Sequence, residues 1–146
     1  MILHNSKRCV GCLACMVACQ QEHGLPAGIH PLKVTWRPSR APVPAYVYEV
    51  NVCRHCLTSP CRKVCPAEAW VVKDGFVILN PDRCTGCGVC ADACPYGAVE
   101  MDPARGLPVK CDLCRKRASP GLPPACVRTC PVGALSFQKH LGGRES

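Results

Sequence analysis

Sixteen cysteines fall into four sets of four: Cys9, Cys12, Cys15 and Cys19; Cys53, Cys56, Cys61 and Cys65; Cys84, Cys87, Cys90 and Cys94; and Cys111, Cys114, Cys126 and Cys130. The first and third sets read C-x2-C-x2-C-x3-C, the second C-x2-C-x4-C-x3-C and the fourth C-x2-C-x11-C-x3-C, and the last three end in Cys-Pro. In a chain divided this way, what the thiols hold dictates the loops. Apolar burial alone is too thin to organise it. The 48% hydrophobic share includes the cysteines, only 5% of residues are aromatic, and 15 Pro and 12 Gly exclude long helices and a broad sheet.

The pattern has the iron-sulfur spacing of bacterial ferredoxins, in which three thiolates of a set hold one cubane and the fourth reaches a neighbouring one. Small residues between the thiols, Gly11 and Ala14 in the first set and Gly86 and Gly88 in the third, let backbone N–H groups approach sulfur. The x3 gap is one helical turn, which carries the fourth thiolate roughly 6 Å along the axis. The Pro that follows lacks an N–H and ends that turn. A disulfide scaffold does not ask for four repeats of near-identical spacing. Zinc is the better rival, since C-x2-C is its usual half-site, but zinc sites pair two such units and do not use a triplet followed by x3-C-P. The cofactors expected are therefore four 4Fe-4S clusters, held by all sixteen Cys.

The N-terminal residues contain no apolar stretch of signal-peptide length and no twin-Arg pair. The longest aliphatic run, residues 76–79, is far short of the ~20 residues that span a bilayer. A cytoplasmic location is expected, where a cysteine-rich pattern means metal more often than disulfide, with export bound to a partner as the alternative. The formal charge of +8 suggests nucleic acid only while thiols are counted as neutral. A 4Fe-4S core with four thiolates adds about −2, so four bring the total near zero, and no nucleic-acid partner is expected. A polarity remains, since residues 47–100 hold 5 Lys+Arg against 6 Asp+Glu and the rest of the sequence 13 against 4. With two clusters in each part the charges are about −5 and +5, a dipole suited to orienting the chain on partners and to head-to-tail self-association.

Residues 20–45, with Pro26, Pro31, Pro38, Pro42 and Pro44, have the character of an irregular loop. Residues 46–53 alternate as a strand. Asp74-Gly75 between two β-branched runs predicts a hairpin with a primed turn over 71–78, and residues 98–101 and 107–110 suggest a second. The fold class is α+β and ferredoxin-like, with short strands and one-turn helices around metal.

From residue 7 to residue 135 the chain resembles a known family. Asn80-Pro-Asp-Arg-Cys-Thr-Gly-Cys87, Ala93-Cys-Pro-Tyr-Gly-Ala98, Lys110-Cys-Asp-Leu-Cys114, Pro124-Ala-Cys126 and Thr129-Cys-Pro-Val-Gly-Ala-Leu135 look like the four-cluster electron-transfer subunits of molybdenum and tungsten pterin oxidoreductases. Cys53-Arg-His-Cys56 with Ser59-Pro-Cys61 is similar to their second motif. The resemblance implies that the first set pairs with the fourth and the second with the third. One outer cluster would take Cys9, Cys12, Cys15 and Cys130, the other Cys111, Cys114, Cys126 and Cys19. The inner clusters would take Cys53, Cys56, Cys61 and Cys94, and Cys84, Cys87, Cys90 and Cys65. It also implies an outer ferredoxin-like module of residues 1–46 and 101–146, with an inner one of residues 47–100 inserted into it.

The implied function is a relay of single electrons between a tungsten- or molybdenum-pterin catalytic subunit and a second redox partner, with no catalytic residue and no direct membrane insertion. All four Cys of the third set are present, where some relatives have a substituted cluster. The sequence stops eleven residues after Leu135, where many relatives continue. That favours a soluble complex, and most resembles the small subunit of tungsten-containing aldehyde oxidoreductases, which works with a flavin subunit. The rival functions are a free-standing polyferredoxin and a zinc-binding nucleic-acid module.

No phosphate-cradling loop, nucleophile motif or paired-carboxylate arrangement is evident. His55, between two thiols, either tunes a cluster or packs within its loop, and as a ligand it is superfluous. His4, His23, His30 and His140 are scattered and mark no site. Trp36, Arg37 and Arg40, and the run Arg115-Lys116-Arg117, are candidate docking surface.

Overall fold

The structure, a computed structural model, describes residues 1–40, 46–118 and 120–138; Pro42, Pro44 and His140 lie outside them. Its strands are β1 (Ile2–His4), β2 (Leu32–Pro38), β3 (Tyr46–Val52), β4 (Trp70–Lys73), β5 (Phe76–Leu79), β6 (Val99–Asp102), β7 (Leu107–Lys110) and β8 (Leu135–Phe137). Its helices are α1 (Ala14–His23), α2 (Pro60–Lys63), α3 (Val89–Asp92), α4 (Arg115–Ala118) and α5 (Ala125–Thr129). Among the described residues every sheet is a two-stranded antiparallel pair, β1 with β8 and the others in sequence order.

The hairpin expected around Asp74-Gly75 forms between Trp70–Lys73 and Phe76–Leu79, with Asp74 at φ 53° and Gly75 at φ 77°. Both positions need positive φ in a turn that follows the strand twist. The second hairpin is displaced by one residue to Val99–Asp102. The Asp102 carboxylate, buried, accepts the Ala104 N–H at 2.9 Å and so fixes the turn.

Of residues 20–45, 41–45 lie outside the described residues, and 20–40 are not the irregular loop their prolines suggest. The first of them continue α1 to His23, and Leu32–Pro38 pairs with Tyr46–Val52 along its whole length, Leu32 opposite Val52 and Pro38 opposite Tyr46. Pro31 precedes this strand and Pro38 ends it, the positions where a missing N–H interrupts no interior ladder bond. Between them Val34, Thr35 and Trp36 are good strand formers.

Helix length follows what comes after the fourth Cys of each set. Cys19 is followed by Gln20, and α1 runs for ten residues until Gly24 at φ 56° closes it. Cys65, Cys94 and Cys130 are followed by Pro, and α2, α3 and α5 have four or five residues.

Two apolar clusters form, and both contain thiols. The first gathers Ile2, Leu32, Val52, Leu113 and Leu135 with Cys15, Cys19, Cys111 and Cys126. The second gathers Trp70, Val77 and Val99 with Cys90. The Lys33–Glu100 ion pair and the bond from the Asn51 amide to the Tyr96 carbonyl tie them together. No helix among the described residues is long and apolar enough to cross a membrane.

Candidate metal centres

All sixteen thiols are free, and they converge in four places built from distant stretches of sequence. At site A, Cys9, Cys12, Cys15 and Cys130 line one pocket with Val34, Val50 and Leu135. At site B, Cys19, Cys111, Cys114 and Cys126 lie close enough that a negative charge on one disfavours it on the next. At site C, Cys53, Cys56, Cys61 and Cys94 line a second pocket with Val77, Tyr96 and Val99. At site D, Cys84 and Cys65 act on Cys90, and Cys87 is exposed on the same loop. Cys87 is placed at site D by its loop alone; that each group ligates one cluster is what the resemblance implied.

Burial, reinforced by neighbouring thiols, pushes Cys19 and Cys111 up to about 12 and Cys61 up to about 11. It raises Cys15, Cys56, Cys90, Cys114 and Cys126 in the same sense. Four crowded thiols of this kind do not ionise together without a positive core among them, and an all-sulfur donor set suits iron-sulfur. The residues therefore fit 4Fe-4S groups. Cys130 differs: burial pushes it up, but the N–H groups of Ala134, Leu135, Val132 and Gly133 outweigh that and hold it below the usual thiol value.

The Cys-Pro turns share one backbone. The N–H of Ala69, Ala98 and Ala134 donates to the sulfur of Cys65, Cys94 and Cys130 at 3.3, 3.4 and 3.2 Å. The residue before each Ala, Glu68, Gly97 and Gly133, is left-handed at φ 49°, 54° and 58°. The first C-x2-C loop of each set likewise has a left-handed third residue, Gly11, His55, Gly86 or Leu113. Glycine adopts that conformation freely; the two side chains that also adopt it are buried. Leu113 belongs to the first apolar cluster. His55 is 3% exposed, its Nδ1 accepts the Val77 N–H at 3.2 Å, and its ring meets Phe76 edge-on at 5.6 Å. Its backbone N–H donates to the Cys53 sulfur at 3.5 Å, so the residue both packs within the fold and touches site C.

The short helices bridge the sites. Cys15 and Cys19 stand four apart on α1, one at A and one at B, and Cys126 in α5 and Cys130 just beyond it return from B to A. Cys61 with Cys65, and Cys90 with Cys94, do the same between C and D. A charge on Cys53 acts on Cys111, so B adjoins C. The order is A, B, C, D, and the two exposed thiols, Cys12 and Cys87, stand at its opposite ends.

Two nitrogen donors escaped the sequence. His23, set aside there as scattered, lies with its Nε2 3.6 Å from the Cys114 sulfur. Its position four residues after Cys19 on α1 was the available signal. The Trp70 side chain hydrogen-bonds Cys90. Of the docking candidates, Trp36 is 62% exposed with its ring edge-on to Tyr46, and Arg37 pairs with Glu49 at 2.9 Å. Arg117 is instead an internal brace, donating to Glu22 at 2.8 Å and to the Pro123 carbonyl at 2.9 Å.

Residues 44–140 match the 4Fe-4S dicluster domain family and residues 6–22 a 4Fe-4S binding domain. The protein is 39% identical to the B subunit of polysulfide reductase from Wolinella succinogenes over 142 residues, covering 93% of its own length and 74% of the relative. It is 37% identical to the thiosulfate reductase electron transfer subunit PhsB of Salmonella typhi, covering 94% and 74%. It is 36% identical to the B subunit of anaerobic dimethyl sulfoxide reductase from Escherichia coli, covering 91% and 70%. Sixteen thiols in four groups match four 4Fe-4S clusters, and the protein belongs to the 4Fe-4S dicluster family of reductase B subunits, which are electron-transfer rather than catalytic subunits.

Proposed function

We propose that the protein is a wire between a pterin-bound molybdenum or tungsten catalytic subunit and a second redox partner, its two contact points near Cys12 and Cys87. The observation that carries this reading is the run of four thiol sites with an exposed thiol at each end. When bound, each 4Fe-4S group takes up and releases one electron. The ligand sets are Cys9, Cys12, Cys15 and Cys130; Cys19, Cys111, Cys114 and Cys126; Cys53, Cys56, Cys61 and Cys94; and Cys65, Cys84, Cys87 and Cys90. Residues 1–46 and 101–146 make the outer module and 47–100 the inserted one; pairing of β1 with β8 supports the first, and the second apolar cluster, which lies wholly within 47–100, supports the second, while β3 and Val52 pack with the outer part. The protein's own residues hold the thiolates at fixed separations and turn backbone N–H groups toward sulfur, which sets potentials.

The reductase names of the relatives support a reductase as the catalytic partner. The narrower assignment, a tungsten aldehyde-oxidising subunit with a flavin subunit, rests on the resemblance, and head-to-tail association rests on the charge polarity. Anaerobic affinity purification with metal analysis tests all of them. The expected result is about 16 iron per chain, with molybdenum or tungsten in a co-purifying subunit that is identified by which metal it holds. Iron-loaded protein that brings down neither metal would overturn the wire reading in favour of a free-standing polyferredoxin. Assembly insensitive to salt would overturn the head-to-tail stacking.

A further inference from the structure

We propose that His23 donates a hydrogen bond to the Cys114 thiolate and thereby sets the potential of site B above the value its thiolates alone would give. This rests on the reading of Cys19, Cys111, Cys114 and Cys126 as one ligand set.

His23 is the last residue of α1, one turn beyond Cys19, so the helix that delivers a thiolate to site B also delivers the imidazole. Its Nε2 stands 3.6 Å from the Cys114 sulfur and 3.4 Å from Asp112 Oδ1. Both neighbours are acceptors: a metal-bound thiolate carries no proton, and neither does an ionised carboxylate. The proton therefore sits on Nε2, shared between sulfur and oxygen. Asp112 Oδ1 also accepts the Cys114 N–H at 2.8 Å, which holds the carboxylate against the thiolate it flanks.

The end of α1 that carries the imidazole is braced against the ligand loop. Glu22, its neighbour on α1, is pinned by Arg117 at 2.8 Å, and Arg117 lies three residues after Cys114. Helix end and ligand loop are thus tied on both sides of the His23–Cys114 contact. An electron added at site B increases the negative charge on its sulfurs, so a donor aimed at one of them stabilises the reduced form and raises the potential. Asp112 acts in the opposite sense through its charge.

The test uses the intact, iron-loaded complex, with redox titrations followed by electron paramagnetic resonance. Cys114→Ser identifies the signal of site B by altering it alone. In His23→Leu that signal's midpoint shifts to more negative potential while the other three stay in place and iron content is unchanged. His23→Gln, which again presents an N–H, recovers most of the shift. Asp112→Asn frees the Nε2 proton for sulfur and removes a negative charge, moving the same midpoint upward.

An unmoved site B midpoint in His23→Leu, or four midpoints moving together, overturns the role of His23 while leaving the ligand set intact. Four unaltered signals in Cys114→Ser overturn the ligand set and the role of His23 with it. Should His23→Leu fail to load iron, His23→Gln and Asp112→Asn decide: a downward or absent shift in Asp112→Asn overturns the inference.

Discussion

The ring of Tyr48 occupies the space in which a side chain at Gly11 would begin: a Cβ built there stands 2.5 Å from Tyr48 Cδ1, on a residue held at φ +68°. Strand β3 therefore closes directly over the loop that carries Cys9 and Cys12. Left-handed backbone costs roughly 1–2 kcal/mol for a residue with a Cβ, and overpacking adds about 1–3 kcal/mol. Gly11→Ala is expected to displace this loop and to lower iron from about 16 to about 12 per chain, the loss falling at site A. Full iron content by metal analysis would contradict it.

The Cys-Pro turns allow the backbone cost to be measured by itself. A Cβ on Gly97 meets nothing within 4 Å, so Gly97→Ala isolates the left-handed conformation and should cost about 1 kcal/mol. Glu68 fills the equivalent position with a side chain. Glu68→Gly should stabilise by about 0.5 kcal/mol, the relieved strain being partly offset by the entropy of a freer unfolded state. Urea midpoints of iron release, read anaerobically, should move in opposite directions for the two variants.

Residues four apart on α1 should report on different centres. Cys15→Ser is expected to disturb the same paramagnetic signal as Cys130→Ser, and Cys19→Ser the same signal as Cys126→Ser. If Cys15→Ser and Cys19→Ser alter one common signal, the assignment of the helix as a bridge falls.

Removing iron should unfold the protein. Both apolar clusters include cysteines that face the metal positions, so the metal core is part of what the surrounding apolar residues are held by. Chelation under reducing conditions is expected to abolish the native far-ultraviolet circular dichroism, and a retained spectrum would show that the apolar residues suffice.

Trp36 is the strongest candidate for a partner anchor, because its exposed ring contributes little to its own fold. Trp36→Ala should retain full iron content yet lose the co-purifying catalytic subunit. Arg37→Ala should do less, since that guanidinium is occupied by Glu49. Undiminished co-purification in the double variant would remove this face from consideration.

The four sets of thiols and the hairpin at Asp74-Gly75 were legible because they depend on spacing and local backbone chemistry, whereas the pairing of the sets across the fold was implied only by the family resemblance. Sequence reasoning missed the continuation of α1 past Cys19, reading residues 20–23 as loop, although Gln20 stands where the other sets have Pro. Strand β2 was hidden because composition does not reveal that Pro31 and Pro38 bracket a strand without interrupting it. His55 and Leu113 were equally opaque: their loops need positive φ, which points to glycine, but each side chain gains enough burial to accept it. The role of His23 depended on Asp112 and Cys114, which lie about ninety residues away in sequence and reach it only after folding.

Pairing of Ile2 with Phe137 and of His4 with Leu135 has a consequence for biosynthesis. The stretch from Cys53 to Cys94 holds two thiol sets and nearly all of the second apolar cluster within about fifty residues, so it can fold and take up metal as it leaves the ribosome. Cys9, Cys12 and Cys15 emerge first but must wait for Cys130, and β1 for β8. The earliest thiols made are among the last to be sequestered, so the nascent polypeptide carries an open, oxygen-sensitive triplet for nearly its whole synthesis. It is there, rather than at the middle of the sequence, that a maturation chaperone would be needed.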